Sequence, residues 1–474
     1  MKKKRIQKNE LLTSLPDEWP VDLLPQIQKQ VKASKCKVVV LDDDPTGTQT
    51  VHSIPVLTDW SVEALQVELS TDLPAFYILT NSRSFPLEVA QSINREIGGN
   101  LIEAARKANL SFVVVSRSDS TLRGHFPGEV DALAKALVQD FDGWIINPFF
   151  LEGGRYTIDD IHYVDEGGWL VPAAETEFAR DSVFGYRSSN LCRWVEEKTG
   201  GRFSLDAVAS ISINDLREGG PGRVASILAE LQGGCVCVVN AASYRDLEVF
   251  IAGLLDVEAY GKRFLYRTAA SFVRIRSGLS PRPLLTAQDL ELQDSGNGLI
   301  IVGSYVPRTT DQVQKLLEQP EISHAEVSVE LLIDDKRRLI EIERVAAEAD
   351  RALGHGKDVV IFTSRQRAAG RDAKRSLSIG QKISKGLIAI LDKVTTKPRY
   401  ILAKGGITSS DVATEGLKVK RAMVCGQIMP GVPVWKLGAE SLLPGLAYIV
   451  FPGNVGDSQS LVEVVNKLKR IKKS

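Results

Sequence analysis

The chain has 474 residues, 43% hydrophobic and 25% charged, with 59 Lys+Arg against 59 Asp+Glu. A formal net charge of zero excludes a whole-chain basic field for nucleic acid, and no run approaches the roughly 18 apolar residues of a membrane helix. A chain of 474 residues exceeds one typical core, so at least two domains are expected. Five Cys form an odd set without metal-type spacing. Cys235 and Cys237, two apart in "GGCVCVVN", read as reduced core residues.

The start, "MKKKRIQKNELLTSLPDEWP", has a basic head but no apolar segment after it. It predicts a cytoplasmic protein with a fraying N-terminal tail, residues 1–30 forming an extension. From there one pattern recurs: a short β-rich apolar run ends in a polar loop, and an amphipathic segment follows. "KVVVLDDDPTGTQT", "AFYILTNSRSF", "SFVVVSRSDSTLRGH", "DGWIINPFF" and "CVCVVNAASYRD" show it in the first half. "GLIIVGSYVPRTTDQ", "DVVIFTSRQ", "RYILAKGGITSSD" and "AYIVFPGNVGD" show it in the second. Apolar strands alternating with helices predict an α/β fold of mostly parallel sheets flanked by helices. In such sheets the loops at the carboxyl ends of strands build the site. The stretch "SPRPLLTAQDLELQDSGNG" reads as a linker, which places one domain over residues 31–285 and another over 296–474.

Three successive carboxylates, Asp42, Asp43 and Asp44, repel one another unless something offsets them. They read either as a decorated turn, with an Asp and Thr46 capping the next segment, or as groups that take a hydroxyl proton, bind hydroxyls or face a metal ion. "SRSDSTLRGHFPGE" gathers Arg117, Asp119, Ser120, Thr121, Arg123 and His125 at a strand end. Its arginines are forked donors for carboxylate or phosphate; the alternative is a salt-bridged helix start. "TNSRSF" adds Arg83, and together these loops suit a small, polyhydroxylated, anionic substrate.

In the second half Gly303 and Ser304 follow a strand, with Thr309 or Thr310 expected to cap the next helix. "KGGITSSD" and "FPGNVGD" are further glycine loops, where backbone N–H groups can wrap an anion. Three in one domain point to nucleotide phosphates. Neither a G-x-x-x-x-G-K-[ST] loop nor a G-x-G-x-x-G fingerprint is present. The basic run "SRQRAAGRDAKRSLSIGQKISKG" reads as a solvated helix face.

Two other classes fit parts of the chain. Asp42, Asp44 and Thr46 match the D-x-D-x-T of haloacid-dehalogenase-like phosphatases, in which the first Asp attacks phosphorus. That reading leaves the three glycine loops unexplained. A non-catalytic small-molecule binding protein is the third reading.

"LDDDPTGTQT" followed by "SDSTLRGH" resembles the N-terminal part of the four-carbon acid sugar kinase family. "GSYVPRTTDQ", "KGGIT", "CGQIMPGVPVW" and "FPGNVGD" resemble its C-terminal nucleotide domain, in the same order. The resemblance implies two domains with the active site in the cleft between them. It also implies a kinase that uses ATP and Mg2+ on a hydroxyl of threonate, erythronate or an oxo-tetronate. A homodimer is the expected assembly, and charge and hydropathy leave no nucleic-acid or membrane partner. Position by position it implies Asp43, Asp44, Arg83, Asp119, Ser120 and Arg123 on the substrate side. Charge adds Arg117 as a further donor for the acid's carboxylate, and Asp43 and Asp44 are the expected catalytic residues, with Asp43 taking the hydroxyl proton. Ser304, Gly405, Gly406, Ile407, Thr408 and Gly453 fall on the ATP side. The commoner family form of the first loop has Ala where this chain has Asp42, and the Gly-Gly loop usually continues with an acidic residue where it has Ile407.

Overall fold

The run Lys37–Asp42 (β1) is buried at every position, as a strand covered on both faces must be. It belongs to the first of two units, Met1–Pro281 and Arg282–Ser474, into which the computed structural model divides. Residues 5–292, 296–304, 306–364, 373–453 and 455–469 are described, excluding the side chains of 373–378. Much of the basic run from Ser364 to Gly386 therefore lies outside the described residues.

The first unit continues with Ile54–Leu57 (β2), Ala75–Leu79 (β3), Phe112–Arg117 (β4), Gly143–Asn147 (β5), Ala209–Ile211 (β6), Cys235–Val239 (β7) and Phe264–Thr268 (β8). Their order across the sheet is β6-β7-β5-β8-β4-β1-β3-β2, every pair parallel. The chain leaves β1 toward β3 on one side, while β4 sits on the other and leads outward through β8 and β5. The order thus reverses between β1 and β4, where an open parallel sheet splays its loops into a crevice.

A separate antiparallel sheet runs Ile6–Gln7, Trp169–Pro172, Ile161–Asp165, Arg155–Ile158. Asp159 and Asp160, with φ of 52° and 61°, turn its tightest hairpin, the geometry two-residue hairpins prefer. Residues 1–4 of the extension lie outside the described residues, and from Arg5 onward it is tied to the sheet rather than frayed. Ile6 pairs with Leu170, Lys8 Nζ meets Asp165 at 2.9 Å, and the Arg5 guanidinium lies 4.5 Å from the Trp169 ring centre.

In the second unit the strands are Gly298–Val302 (β9), Ile322–Val327 (β10), Asp358–Thr363 (β11), Tyr400–Lys404 (β12), Arg421–Met429 (β13), Val432–Leu437 (β14) and Ala447–Phe451 (β15). Their order is β13-β14-β15-β12-β9-β11-β10, parallel from β15 onward and antiparallel through β13 and β14. The helix after β9 spans Pro307–Leu317 with Pro307 in its first turn, where proline's missing N–H costs nothing. The expected capping role of Thr309 or Thr310 therefore fails: both lie inside the helix. All five Cys are free thiols, and no described helix is long and apolar enough to cross a membrane.

The helix Leu87–Ala108 carries neighbouring glycines in opposite environments. A Cβ on Gly98 would come within 2.6 Å of the Ala136 Cβ on the helix Gly128–Ala136, whereas one on Gly99 would meet nothing within 4 Å. Gly98→Ala should destabilise the protein by about 1–3 kcal/mol through overpacking, and Gly99→Ala should stabilise it by about 0.5–1 kcal/mol. Urea unfolding of the two variants checks both signs.

Candidate functional site

The aspartate triplet follows β1 at the point where the sheet order reverses, and its three members occupy different surroundings. Asp42 is paired in register with Arg117 of β4, and its Oδ1 accepts from Arg117 Nη1 at 2.9 Å. Gly47 closes over it: a Cβ there would collide with both Asp42 carboxylate oxygens. Burial pushes the Asp42 carboxyl up to about 8; Arg117 opposes the shift, and Asp43 and Asp44 add to it. With Gly47 packed against both of its oxygens and Arg117 holding Oδ1, Asp42 has no oxygen free to meet a phosphorus atom. The phosphatase reading loses its nucleophile here.

Asp44 opens the short 3₁₀ turn Pro45–Thr48, accepting from the Thr46 N–H at 2.8 Å, and is ion-paired with Arg83. Burial would raise its carboxyl, but Arg83 and Thr46 outweigh it and hold the group below its usual range. Asp43 lies between them. Its Oδ1 stands 3.3 Å from Arg117 Nη1, while its Oδ2 is buried without a hydrogen-bond partner. A buried unpaired carboxylate oxygen is costly, and it marks where a donor from outside the chain would be held.

The loop after β4 supplies the other expected residues. Asp119 accepts from Arg123 Nε at 2.7 Å and from the Thr121 hydroxyl, and Arg83 Nη1 lies 3.5 Å away. Against the effect of burial, these two arginines hold its carboxyl far below the ordinary range. Ser120 is placed by its backbone: its carbonyl accepts at 2.7 Å from Nε2 of the buried His162, whose Nδ1 accepts from Thr157 at 3.0 Å. Tyr186 braces the next carbonyl, Thr121, at 2.8 Å. Thus Asp42, Asp43 and Arg117 form one ion-paired set and Asp44, Arg83, Asp119 and Arg123 another, and the antiparallel sheet backs the loop of the second.

The sequence reading missed Ser118, Gly124, Glu129 and Arg267 as site residues. A Cβ on Gly124, at φ +117°, would lie 3.2 Å from Arg267 Nη2, 3.2 Å from Asp43 Oδ2 and 3.7 Å from Ser118 Oγ. Ser118 Oγ is also buried without a partner. Glu129 is pushed up by burial and by the nearby charge of Asp43. Arg267 is the penultimate residue of β8 in "FLYRT", one pair before Thr268 meets Arg117 across the ladder.

In the second unit three loops leave the carboxyl ends of the adjacent strands β15, β12 and β9. A Cβ on Gly453 would be 3.3 Å from Ser304 Oγ; one on Gly405, at φ +113°, would be 3.1 Å from Ser304 Cβ. One on Gly303 would collide with Thr408 Oγ1. Thr309 bridges two of the loops, its hydroxyl 3.3 Å from Ser304 Oγ and 3.2 Å from the Gly453 carbonyl. Gly406 opens the helix Gly406–Asp411, on which Ile407 is 56% exposed. Beneath them Lys404 is fully buried, donates to the Pro452 carbonyl at 3.1 Å and is pushed down to about 7 by burial and then by Arg308. Without side chains at Gly405 and Gly453, the backbone of these loops stays open to close approach by an anion.

His162 gives a pH test of the loop brace. Burial pushes its imidazole down to about 4 from 6.5. The unfolded chain takes up a proton that the folded one refuses, so this contribution is complete above pH 6.5 and is lost as pH falls toward 4. Between those limits the wild type should lose roughly 3 kcal/mol more than His162→Gln in urea unfolding. Equal losses would show that the imidazole is not held neutral.

Comparison with known proteins agrees with this division. Residues 38–276 match the family model described as the sugar-binding N-terminal domain, and residues 299–461 match the nucleotide-binding C-terminal domain. A D-erythronate kinase of Heliobacterium modesticaldum is 26% identical over 327 residues, 66% of this chain and 67% of that protein. Crystal structures of a Haemophilus influenzae protein (TM-score 0.61, 20% identity, 91% of this chain and all of the other) and a Salmonella typhimurium LT2 protein (TM-score 0.65, 19% identity, 90% and 98%) share the fold. With two consecutive domain models covering most of its length, a sugar-binding half and a nucleotide-binding half, the chain belongs to the four-carbon acid sugar kinase family.

Proposed function

We propose that the protein transfers the γ-phosphoryl group of ATP to a hydroxyl of a four-carbon sugar acid, with D-erythronate the first candidate because the related kinase is named for it. The observation that carries this reading is the unpartnered Asp43 Oδ2, buried among ion-paired arginines at the carboxyl end of β1. A substrate hydroxyl donating to that oxygen satisfies it, and Asp43 then takes the proton as the hydroxyl attacks. Asp44 is less suited to the same task, since Arg83 and the Thr46 N–H already occupy it and stabilise its charged form. In this reading it fixes Arg83 and the turn. Ser120 and Asp119 complete the substrate side, Asp119 by orienting Arg83 and Arg123.

ATP supplies the phosphoryl group, and Ser304, Gly405, Gly406, Ile407, Thr408 and Gly453 would hold the nucleotide. No cluster of three or more His, Cys, Asp or Glu suited to a metal occurs among the described residues. Mg2+ in this proposal arrives on the nucleotide's phosphates. Transfer then asks the chain mainly for positioning and charge neutralisation.

The deciding experiment is ADP release with Mg-ATP across D- and L-threonate, D-erythronate and the 2- and 3-oxo-tetronates, with free phosphate followed in parallel. Acid-dependent ADP without free phosphate supports the kinase and names its substrate; ATP and acid binding without turnover would favour a binding protein instead. Asp43→Asn should lower kcat by about 100- to 10,000-fold with ATP affinity nearly intact, and normal turnover would remove the base assignment. Gly405→Ala should raise the KM for ATP by about 10- to 100-fold, because φ +113° strains any side chain. The KM for the acid should stay unchanged.

A further inference from the structure

Three of the arginines at the strand ends of the first unit are already matched by carboxylates. Arg83 is paired with Asp44 and Asp119, Arg117 with Asp42 and Asp43, and Arg123 with Asp119. Arg267 differs. It is 6% exposed, and its hydrogen bond runs to a backbone carbonyl, from Nη2 to Arg123 O at 3.1 Å. Among the described residues no carboxylate stands within ion-pairing distance of it; Asp43, Glu129 and Asp119 act on it only through space. Burying a guanidinium without a direct counter-ion is unfavourable unless a ligand supplies one.

The surroundings say what kind of ligand. The point at which a Gly124 Cβ would lie is 3.2 Å from Arg267 Nη2, 3.2 Å from Asp43 Oδ2 and 3.7 Å from Ser118 Oγ. The Asp43 and Ser118 atoms are both buried and unpartnered. A cationic fork, a hydroxyl and an unfilled acceptor therefore meet at one glycine, beside the residue given above as the base. A molecule carrying a carboxylate and several hydroxyls within a few bonds satisfies all three.

We propose that Arg267, rather than Arg83, Arg117 or Arg123, takes the carboxylate of the acid substrate, and that Ser118 binds one of its hydroxyls. This rests on the sugar-acid kinase reading above. The rival is Arg155, which among the described residues also lacks a carboxylate partner and has an unpartnered Nε. It stands on the antiparallel sheet beside Arg123, both guanidiniums lying against the Phe178 ring at 5.6 and 5.1 Å, and the carboxylate charge acting on it most strongly is that of Asp119, not Asp43.

The test compares D-erythronate with its neutral carboxamide as phosphate acceptors for the full-length wild type, Arg267→Met, Arg267→Lys and Arg155→Met. The wild type should prefer the acid by on the order of 100-fold in kcat/KM, the cost of leaving a buried charge unmatched. Arg267→Met should lose most of that preference through the KM for the acid, with the KM for ATP unchanged, while Arg155→Met keeps it. Arg267→Lys, which retains the charge but not the fork, should keep a preference reduced by about tenfold. This variant decides the matter if Arg267→Met does not fold. Undiminished preference in the Arg267 variants, or its loss in Arg155→Met, overturns the assignment while leaving the kinase reading in place. A wild type that releases ADP with no four-carbon acid removes both.

Discussion

One guanidinium makes the aspartate triplet possible. Arg117 ends β4 directly across the ladder from Asp42, and its Nη1 reaches both Asp42 and Asp43. Parallel register brings the two strands' last residues side by side, so a basic strand end next to an acidic one is a consequence of pairing. Without that cation two or more carboxylates would share a buried space, and leaving one member of such a cluster unmatched costs about 3–5 kcal/mol. The rest of the site is arranged around this pairing. It leaves Asp44 to Arg83 and Asp119 to Arg123, and it leaves one oxygen of Asp43 without a partner.

Glycine does comparable work in both units, in different ways. Gly47 has ordinary backbone angles and is needed for space, because its α-carbon lies against the Asp42 carboxylate. Gly124 and Gly405 combine close approach with φ values of +117° and +113° that other residues rarely adopt. In the first unit the space so created is lined by charged side chains, and in the second by backbone and hydroxyls. The contrast matches a small ligand recognised by its functional groups and a larger one held through its phosphates.

The parallel sheets were legible in the sequence because their strands are continuous apolar runs. All nine of the β-rich runs read there form strands, and the candidate site residues fall at or just after their carboxyl ends. The antiparallel sheet was not legible. Its hairpin turns on Asp159 and Asp160 instead of an Asn-Gly or Asp-Gly pair, so "TIDDIHY" reads as acidic residues without a preceding strand. The strand Ile6–Gln7 is two residues long, and its place depends on a partner more than 160 positions away, which no local pattern can report. Arg267 was missed for another reason. A lone Arg near the end of "FLYRT" looks like an ordinary strand terminus until its neighbours across the sheet are known. Spacing alone puts Thr309 at a helix cap, whereas Pro307 fixes the helix start two residues earlier.

Asp42 has one further consequence, which concerns protons. With its carboxyl pushed up by burial to about 8, Asp42 holds its proton far more readily than an exposed aspartate does. An anion arriving beside Asp43 raises the energy of an ionised Asp42 still further. Binding near pH 8 would therefore draw a fraction of a proton from the medium. The heat measured for that binding would contain the ionisation heat of whichever buffer gave the proton up, so the apparent enthalpy would change between phosphate and Tris while the affinity at a fixed pH did not.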